Sequence, residues 1–362
     1  MDIIEKFKNY ISNINKRDKI AVVYHGNCAD GLCSAIILNK AVERISKRKI
    51  DFNMHYLYYE VKEELIDFVK ANKINKVIFV DLSIYVKEDM IRKLEKYAEI
   101  LLIDHHEYET DLNDNRLTFV HSTFIDNKIK SPAYPASKLV YDIFSKIIDI
   151  SDLDWLSCLG LISDMGYDQW KGFVIKTGIK YKAKINENVF LSDLGICSSN
   201  ISTSKRFNDN IEKVFNVVYK AKTYKNILHN KFLLSYKKKA NEELQHWINN
   251  RINAENYKDL VIYEIKPKYP IGTTLATILS REYFKNKTVV IISEDIEDMK
   301  LKLNARNQIG TLRTNDLLVE ATKGLKDSNA GGHAPAAGGG IYPKDLERFK
   351  KQLKEAYDKL SK

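Results

Sequence analysis

The first hundred or so residues alternate short apolar runs with helix-like segments, and polar residues cluster at the ends of three of the runs. Residues 19–24 form a run suited to a buried strand, and 31–45 have helical character, with Leu32, Ala35, Ile36, Leu38, Ala41 and Val42 near helical spacing. Residues 51–59 read as a strand, 62–72 as a helix, 76–81 as a strand, 87–98 as a helix and 99–104 as a strand. Such alternation predicts a parallel sheet flanked by helices. Ligands of such sheets bind beyond the carboxyl ends of the strands. His25 follows the first run, Asp81 ends the third, and Asp104, His105 and His106 end the fourth, so neighbouring parallel strands would bring these residues to one edge.

Further along, residues 137–148 and 153–162 read as helices, with Asp164 just after the second. Residues 180–225 are less regular, and 198–204 are the most loop-like part of them. Leu228, Phe232, Tyr236, Ala240, Leu244 and Ile248 then recur every four residues, which predicts a long amphipathic helix joining two halves. Strands are expected at 259–265, 288–292 and 300–303, and helices at 271–284, 315–322 and 345–360. A chain of 362 residues with 44% hydrophobic content can bury two cores. The expected architecture is α/β: an N-terminal parallel-sheet domain with flanking helices at 1–190, a connecting segment with a long helix at 191–255, and a smaller C-terminal α/β domain at 256–362.

Most of the polar signals have a plain structural reading when taken singly. In the segment from Tyr24 to Gly31, Gly31 can supply a turn and Asp30 can help to start the helix. Asp81 can cap a helix, and Asp164 can sit in a C-terminal turn. Asp104-His105-His106 is harder to explain that way. A carboxylate beside histidine fixes its tautomer and raises its basicity as a metal ligand. The stretch from Gly331 to Gly339, with a central His333, can be a turn or a loop whose backbone N–H groups approach phosphate.

Taken in order, His25, Asp30-Gly31, Asp81, Asp104-His105-His106 and Asp164 resemble the four motifs of the DHH phosphoesterases, and 331–339 resembles the signature of the DHH-associated domain. The resemblance spans roughly residues 19–345. It implies a two-metal hydrolase, usually with manganese, and with magnesium or zinc as other candidates. Asp30, Asp81, His105 and Asp164 would hold one ion, and Asp81 would bridge to a second bound by His25, the two ions being about 3.5–4 Å apart. His106 would sit over the substrate phosphate with Asp104 supporting the histidine pair, making Asp104, His105 and His106 the catalytic group. Arg306, Gly331, Gly332, His333 and His106 would bind substrate. One position departs from the family: Cys28 stands where its members commonly carry aspartate. A thiolate is a softer ligand that favours zinc-like ions. Cys28 reads either as a metal ligand or as packing, with Asn27 an adjacent polar candidate.

Lysine and arginine number 58 against 48 acidic residues, a formal charge of +10. The excess suits a polyanionic partner, and it also suits the codon usage of an AT-rich genome. The four cysteines, Cys28, Cys33, Cys158 and Cys197, contain no C-x-x-C pair, and no apolar run approaches the ~18 residues of a membrane span. The charged start lacks the pattern of a signal peptide, so a soluble cytoplasmic protein is expected. The expected activity is RecJ-like hydrolysis of single-stranded DNA or RNA or of short oligonucleotides. The alternatives are a small-nucleotide phosphatase, a cyclic-dinucleotide phosphodiesterase, or a catalytically reduced scaffold with a replication or repair protein as partner.

Overall fold

The computed structural model describes every residue except 1, 27, 57–62, 84–87, 107, 109, 206–209, 295–299 and 362, and leaves out the side chains of Lys205 and His333. Asn27 and the edges of three expected elements, at 57–59, 62 and 87, thus lie outside the described residues. The chain divides into two compact units, residues 1–236 and 237–362. Among the described residues, no helix is long and apolar enough to cross a membrane.

The first unit is built on five strands: β1 (Ile20–His25), β2 (Phe52–Tyr56), β3 (Lys76–Val80), β4 (Glu99–Asp104) and β5 (Leu117–His121). All pair in parallel, in the order β2-β1-β3-β4-β5. The near-continuous apolar runs follow from burial on both faces. On one face Ile20, Val22, Tyr24, Ile78, Val80, Leu101 and Ile103 join a core with the helices Ala29–Ser46, Ala136–Ser145 and Asp154–Ser163. On the other, Ala21, Val23, Val77, Phe79, Ile100 and Leu102 pack with the helices Glu64–Ala71 and Glu88–Leu94. After β1 the chain steps to one side to form β2, then returns to form β3 on the other side of β1. The strand order therefore reverses between β1 and β3, and a crevice is expected beyond their carboxyl ends.

Two expectations change here. Residues 198–204 are not a loop; they lie in the helix Asp193–Lys205. Two of its hydroxyls bond to neighbouring segments, Ser198 Oγ donating to the Leu159 carbonyl at 2.8 Å and Ser204 Oγ to that of Leu233 at 3.1 Å. Such bonds allow a polar string to be buried. The connecting segment expected at 191–255 is also divided otherwise. Leu194, Cys197, Ile201, Ile211, Val214 and Val218 belong to the first core. The long helix, Lys231–Asn249, sends Leu233 to the first core and Ala240, Leu244 and Ile248 to the second. The strand β5 and the helix Tyr167–Tyr181, kinked at Trp170, were not expected.

The second unit carries β6 (Glu255–Tyr257), β7 (Leu260–Ile265), β8 (Thr288–Glu294), β9 (Leu301–Arg306), β10 (Asn329–His333) and β11 (Ala336–Ile341). Their order is β10-β11-β9-β8-β7-β6, with β7 and β8 parallel and the other pairs antiparallel. The expected helix at 271–284 is α-helical over Gly272–Ile278 and then winds into a π turn at Leu279–Tyr283. The glycine-rich stretch is a hairpin of β10 and β11 rather than an open loop, with Gly331 opposite Gly338 and Gly332 opposite Ala337.

Candidate metal centre

The reversal of strand order places the ends of β1 and β3 side by side, and the side chains there are His25 and Asp81. Asp81 is buried and has a positive φ of 59°. This is a costly conformation for a residue with a side chain. Its Oδ2 lies 3.5 Å from His25 Nδ1 and accepts from Cys28 Sγ at 3.0 Å. Its Oδ1 lies 3.3 Å from His105 Nε2, which in turn is 3.5 Å from Asp164 Oδ2. Asp30 completes a second group: donor atoms of Asp30, His105 and Asp164 all lie within 4.8 Å of one another. His25, Cys28 and Asp81 form one such group, and Asp81, Asp104, His105 and His106 another.

Local structure explains how each side chain arrives. Cys28, not Asp30, caps the helix Ala29–Ser46, its Sγ accepting from the Gly31 N–H at 3.2 Å. Asp30 sits in the first turn of that helix, fully buried, and caps a different helix: it accepts from Ala136 N at 2.7 Å and from Ser137 N at 3.0 Å. Gly31 does not make a turn. It lies within the helix, where an added Cβ would meet the His25 carbonyl oxygen at 2.2 Å and Asp81 Oδ2 at 2.9 Å. Asp164 ends the helix Asp154–Ser163. The negative end of a helix dipole disfavours a carboxylate there and favours a cation beside it.

Beyond β4, Asp104 is fully buried, and its Oδ1 accepts from the His105 backbone N–H at 2.8 Å and from His106 Nδ1 at 2.7 Å. Two residues that sequence reasoning missed hold the same turn. His121, at the end of β5, donates from Nε2 to the His106 carbonyl at 2.7 Å, and Ser131 Oγ donates to the His105 carbonyl. Gly160 was missed as well. It faces Asp30 so closely that a Cβ would lie 2.5 Å from Asp30 Oδ1 and 2.3 Å from Ser137 Oγ. No signal in the sequence marks these roles, because each depends on a neighbour brought in by the fold.

The charges are poorly matched without a cation. Burial, with the Asp81 charge added, pushes the Asp30 carboxyl up to about 6. Burial, reinforced by Asp30, pushes Asp164 up to about 7. Burial would also raise Asp81, but hydrogen bonds from His105 and His25 outweigh it and hold Asp81 well below the usual carboxylate range. Burial would lower His105, yet its bond to Asp81 and the surrounding carboxylates lift it to about 10. His106 is raised in the same sense: burial opposes the shift and the Asp104 hydrogen bond overcomes it. Among the described residues, no lysine or arginine pairs with Asp30, Asp81, Asp104 or Asp164. Asp104 Oδ2 and His105 Nδ1 are buried with no hydrogen-bond partner among the described residues. Carboxylate oxygens, imidazole nitrogens and a thiol at these separations fit divalent metal ions.

The substrate candidates of the second unit lie on β9 and the hairpin. Arg306 ends β9 and is half-buried, bonded through Nε to Thr277 Oγ1 and through one terminal nitrogen to the carbonyls of Ala305 and Ala337. Gly331, Gly332 and the backbone of His333 lie on β10.

Residues 271–359 match the DHHA1 domain family. No curated protein matches the sequence. Among solved structures, the fold is similar to the exonuclease RecJ bound to manganese, with a TM-score of 0.69 at 15% identity over 99% of this chain and 95% of that one. It is similar to RecJ in complex with Mn2+ from Thermus thermophilus, with a TM-score of 0.70 at 14% identity over 99% of this chain and 55% of that one. It is also similar to CDC45 from Entamoeba histolytica, with a TM-score of 0.57 at 11% identity over 98% of both chains. Residues 271–359 thus carry a DHHA1 domain, and the chain as a whole shares the fold of RecJ.

Proposed function

We propose that this protein is a divalent-metal-dependent phosphodiesterase that hydrolyses single-stranded nucleic acid or short oligonucleotides, as a RecJ-like exonuclease. The convergence of His25, Asp30, Asp81, His105 and Asp164 from separate segments onto one corner of the sheet carries this reading. A purely structural role does not account for it. Carboxylates crowded in a buried site oppose folding unless a cation joins them.

In this reading Asp30, Asp81, His105 and Asp164 would hold one ion, and His25 with Asp81 would hold a second. Manganese is the first candidate, with magnesium and zinc behind it. When bound, such a pair supplies positive charge for the phosphate oxygens and lowers the pKa of water. Asp104 fixes His106 with the proton on Nδ1, so Nε2 is the atom with which His106 meets a phosphate. The second unit adds phosphate recognition of its own. Arg306 has donors suited to phosphate and bonds only to neutral groups among the described residues. The hairpin at Gly331, Gly332 and His333 adds further donors. The net charge of +10 supports a polyanionic substrate, and a cytoplasmic location suits one.

Manganese-dependent digestion of end-labelled DNA, RNA and dinucleotides, with Asp81→Ala beside wild type, tests the proposal. Loss of cleavage in a folded Asp81→Ala protein is the expected result. Cleavage of dinucleotides alone would transfer the reading to a small-nucleotide phosphodiesterase. A second reading, a RecJ-like scaffold of a replication assembly with reduced catalysis, has Cys28 in its favour. A folded wild type that binds no metal would put it first.

A further inference from the structure

The group formed by His25, Cys28 and Asp81 is chemically unlike its neighbour. Cys28 Sγ lies 3.3 Å from His25 Nδ1 and 3.0 Å from Asp81 Oδ2, and the remaining edge of the triangle is 3.5 Å. Bonds of about 2.0–2.3 Å at tetrahedral angles hold such donors roughly 3.3–3.6 Å apart. Two edges of the triangle lie in that range, and the Sγ–Oδ2 edge, at 3.0 Å, would have to open slightly to admit a small ion. The Gly31 N–H bond fixes Sγ at the mouth of the helix. Capping alone gives no reason for cysteine there, since serine, aspartate and asparagine are the stronger caps. The adjoining group of Asp30, His105 and Asp164 offers two carboxylates and an imidazole, and no sulfur.

We propose that the His25–Cys28–Asp81 position takes a thiophilic dication of the zinc or cobalt(II) class in preference to manganese, so that the two metal positions are unequal. The inference rests on the metal centre of the preceding section and deepens it. Thiolate binds zinc-class ions well, and manganese lies at the weak end of the divalent series. Coordination releases the thiol proton to solvent as the sulfur–metal bond forms.

Cobalt(II) titration of the full-length, metal-stripped protein, read by near-ultraviolet absorbance, tests this without any turnover assay. The expected result is a sulfur-to-cobalt charge-transfer band that saturates at one equivalent and survives excess manganese. Cys28→Ser and Cys28→Asp should abolish the band while cobalt still binds at the other position, as followed by calorimetry. Cys28→Asp should also reduce the preference for zinc over manganese by at least about tenfold, the scale on which a ligand's surroundings alter metal affinity. Cobalt bound by wild type without the band, or a band that modest manganese removes, would overturn the proposal and leave the metal centre standing. If wild type binds neither cobalt nor manganese, the metal centre itself fails. The wild-type titration decides these outcomes even if both variants fail to fold.

Discussion

Gly160 shows how much of the site rests on residues with no chemistry of their own. Its missing side chain leaves room for the Asp30 carboxylate and Ser137 hydroxyl, which a Cβ would approach to 2.5 and 2.3 Å. Gly160→Ala should therefore displace Asp30, costing about 1–3 kcal/mol of stability in denaturant unfolding, as overpacking of a filled core does. Calorimetry should show metal affinity falling with it. His121 makes a second case. Removing its ring takes away the hydrogen bond to the His106 carbonyl, at a cost of about 0.5–1.5 kcal/mol. His121→Ala should show that loss on unfolding, and His121→Gln, which can still donate, should recover part of it. His25, Asp81 and His105 were legible in the sequence as polar residues closing apolar runs, and Asp30 and Asp164 only through the order of the motifs. Gly160, His121 and Ser131 were not, because nothing local distinguishes a glycine beside Asp30 from any other helical glycine.

Among the elements, strands of the first sheet were the easiest to read, since residues buried on both faces are almost all apolar. β5 escaped because its run, Leu117–His121, is interrupted by Thr118 and ends in a histidine that the fold uses internally. The helix Asp193–Lys205 escaped because its serines signal loop in sequence, yet bond to carbonyls of neighbouring segments in the structure. The glycine-rich signature was legible as a motif but not as a shape. In the hairpin, Gly332 has a φ of 130°, and a Cβ there would meet the Ala336 carbonyl oxygen at 2.7 Å. Gly332→Ala should therefore strain the hairpin by about 1–3 kcal/mol. If the hairpin serves phosphate, oligonucleotide affinity should weaken in fluorescence titrations while metal affinity stays unchanged.

At the scale of the whole molecule, the buried carboxylate cluster ties stability to pH. Asp30 and Asp164 keep their protons to about 6 and about 7, above the ordinary aspartate value of about 3.9. Between about pH 4 and 7 the folded chain thus holds more protons at these groups than the unfolded chain, and their contribution to stability is lost as pH rises through that window. Asp164→Asn removes one of them. Without metal, its stability advantage over wild type should be larger at about pH 7.5 than at about pH 5, as measured by calorimetry in a chelating buffer. Manganese should stabilise wild type more at the higher pH, where fewer protons compete for the site. The Asp30 carboxylate also closes a contact across 106 residues when it meets Ala136 N. Its neighbour Asp164 comes later still in the chain. During synthesis the first strand and its helix leave the ribosome long before the residues that complete the pocket, so a nascent chain carries its buried aspartate uncapped for most of that time. Tight capture of a metal ion would then mark the moment at which this unit has finished folding.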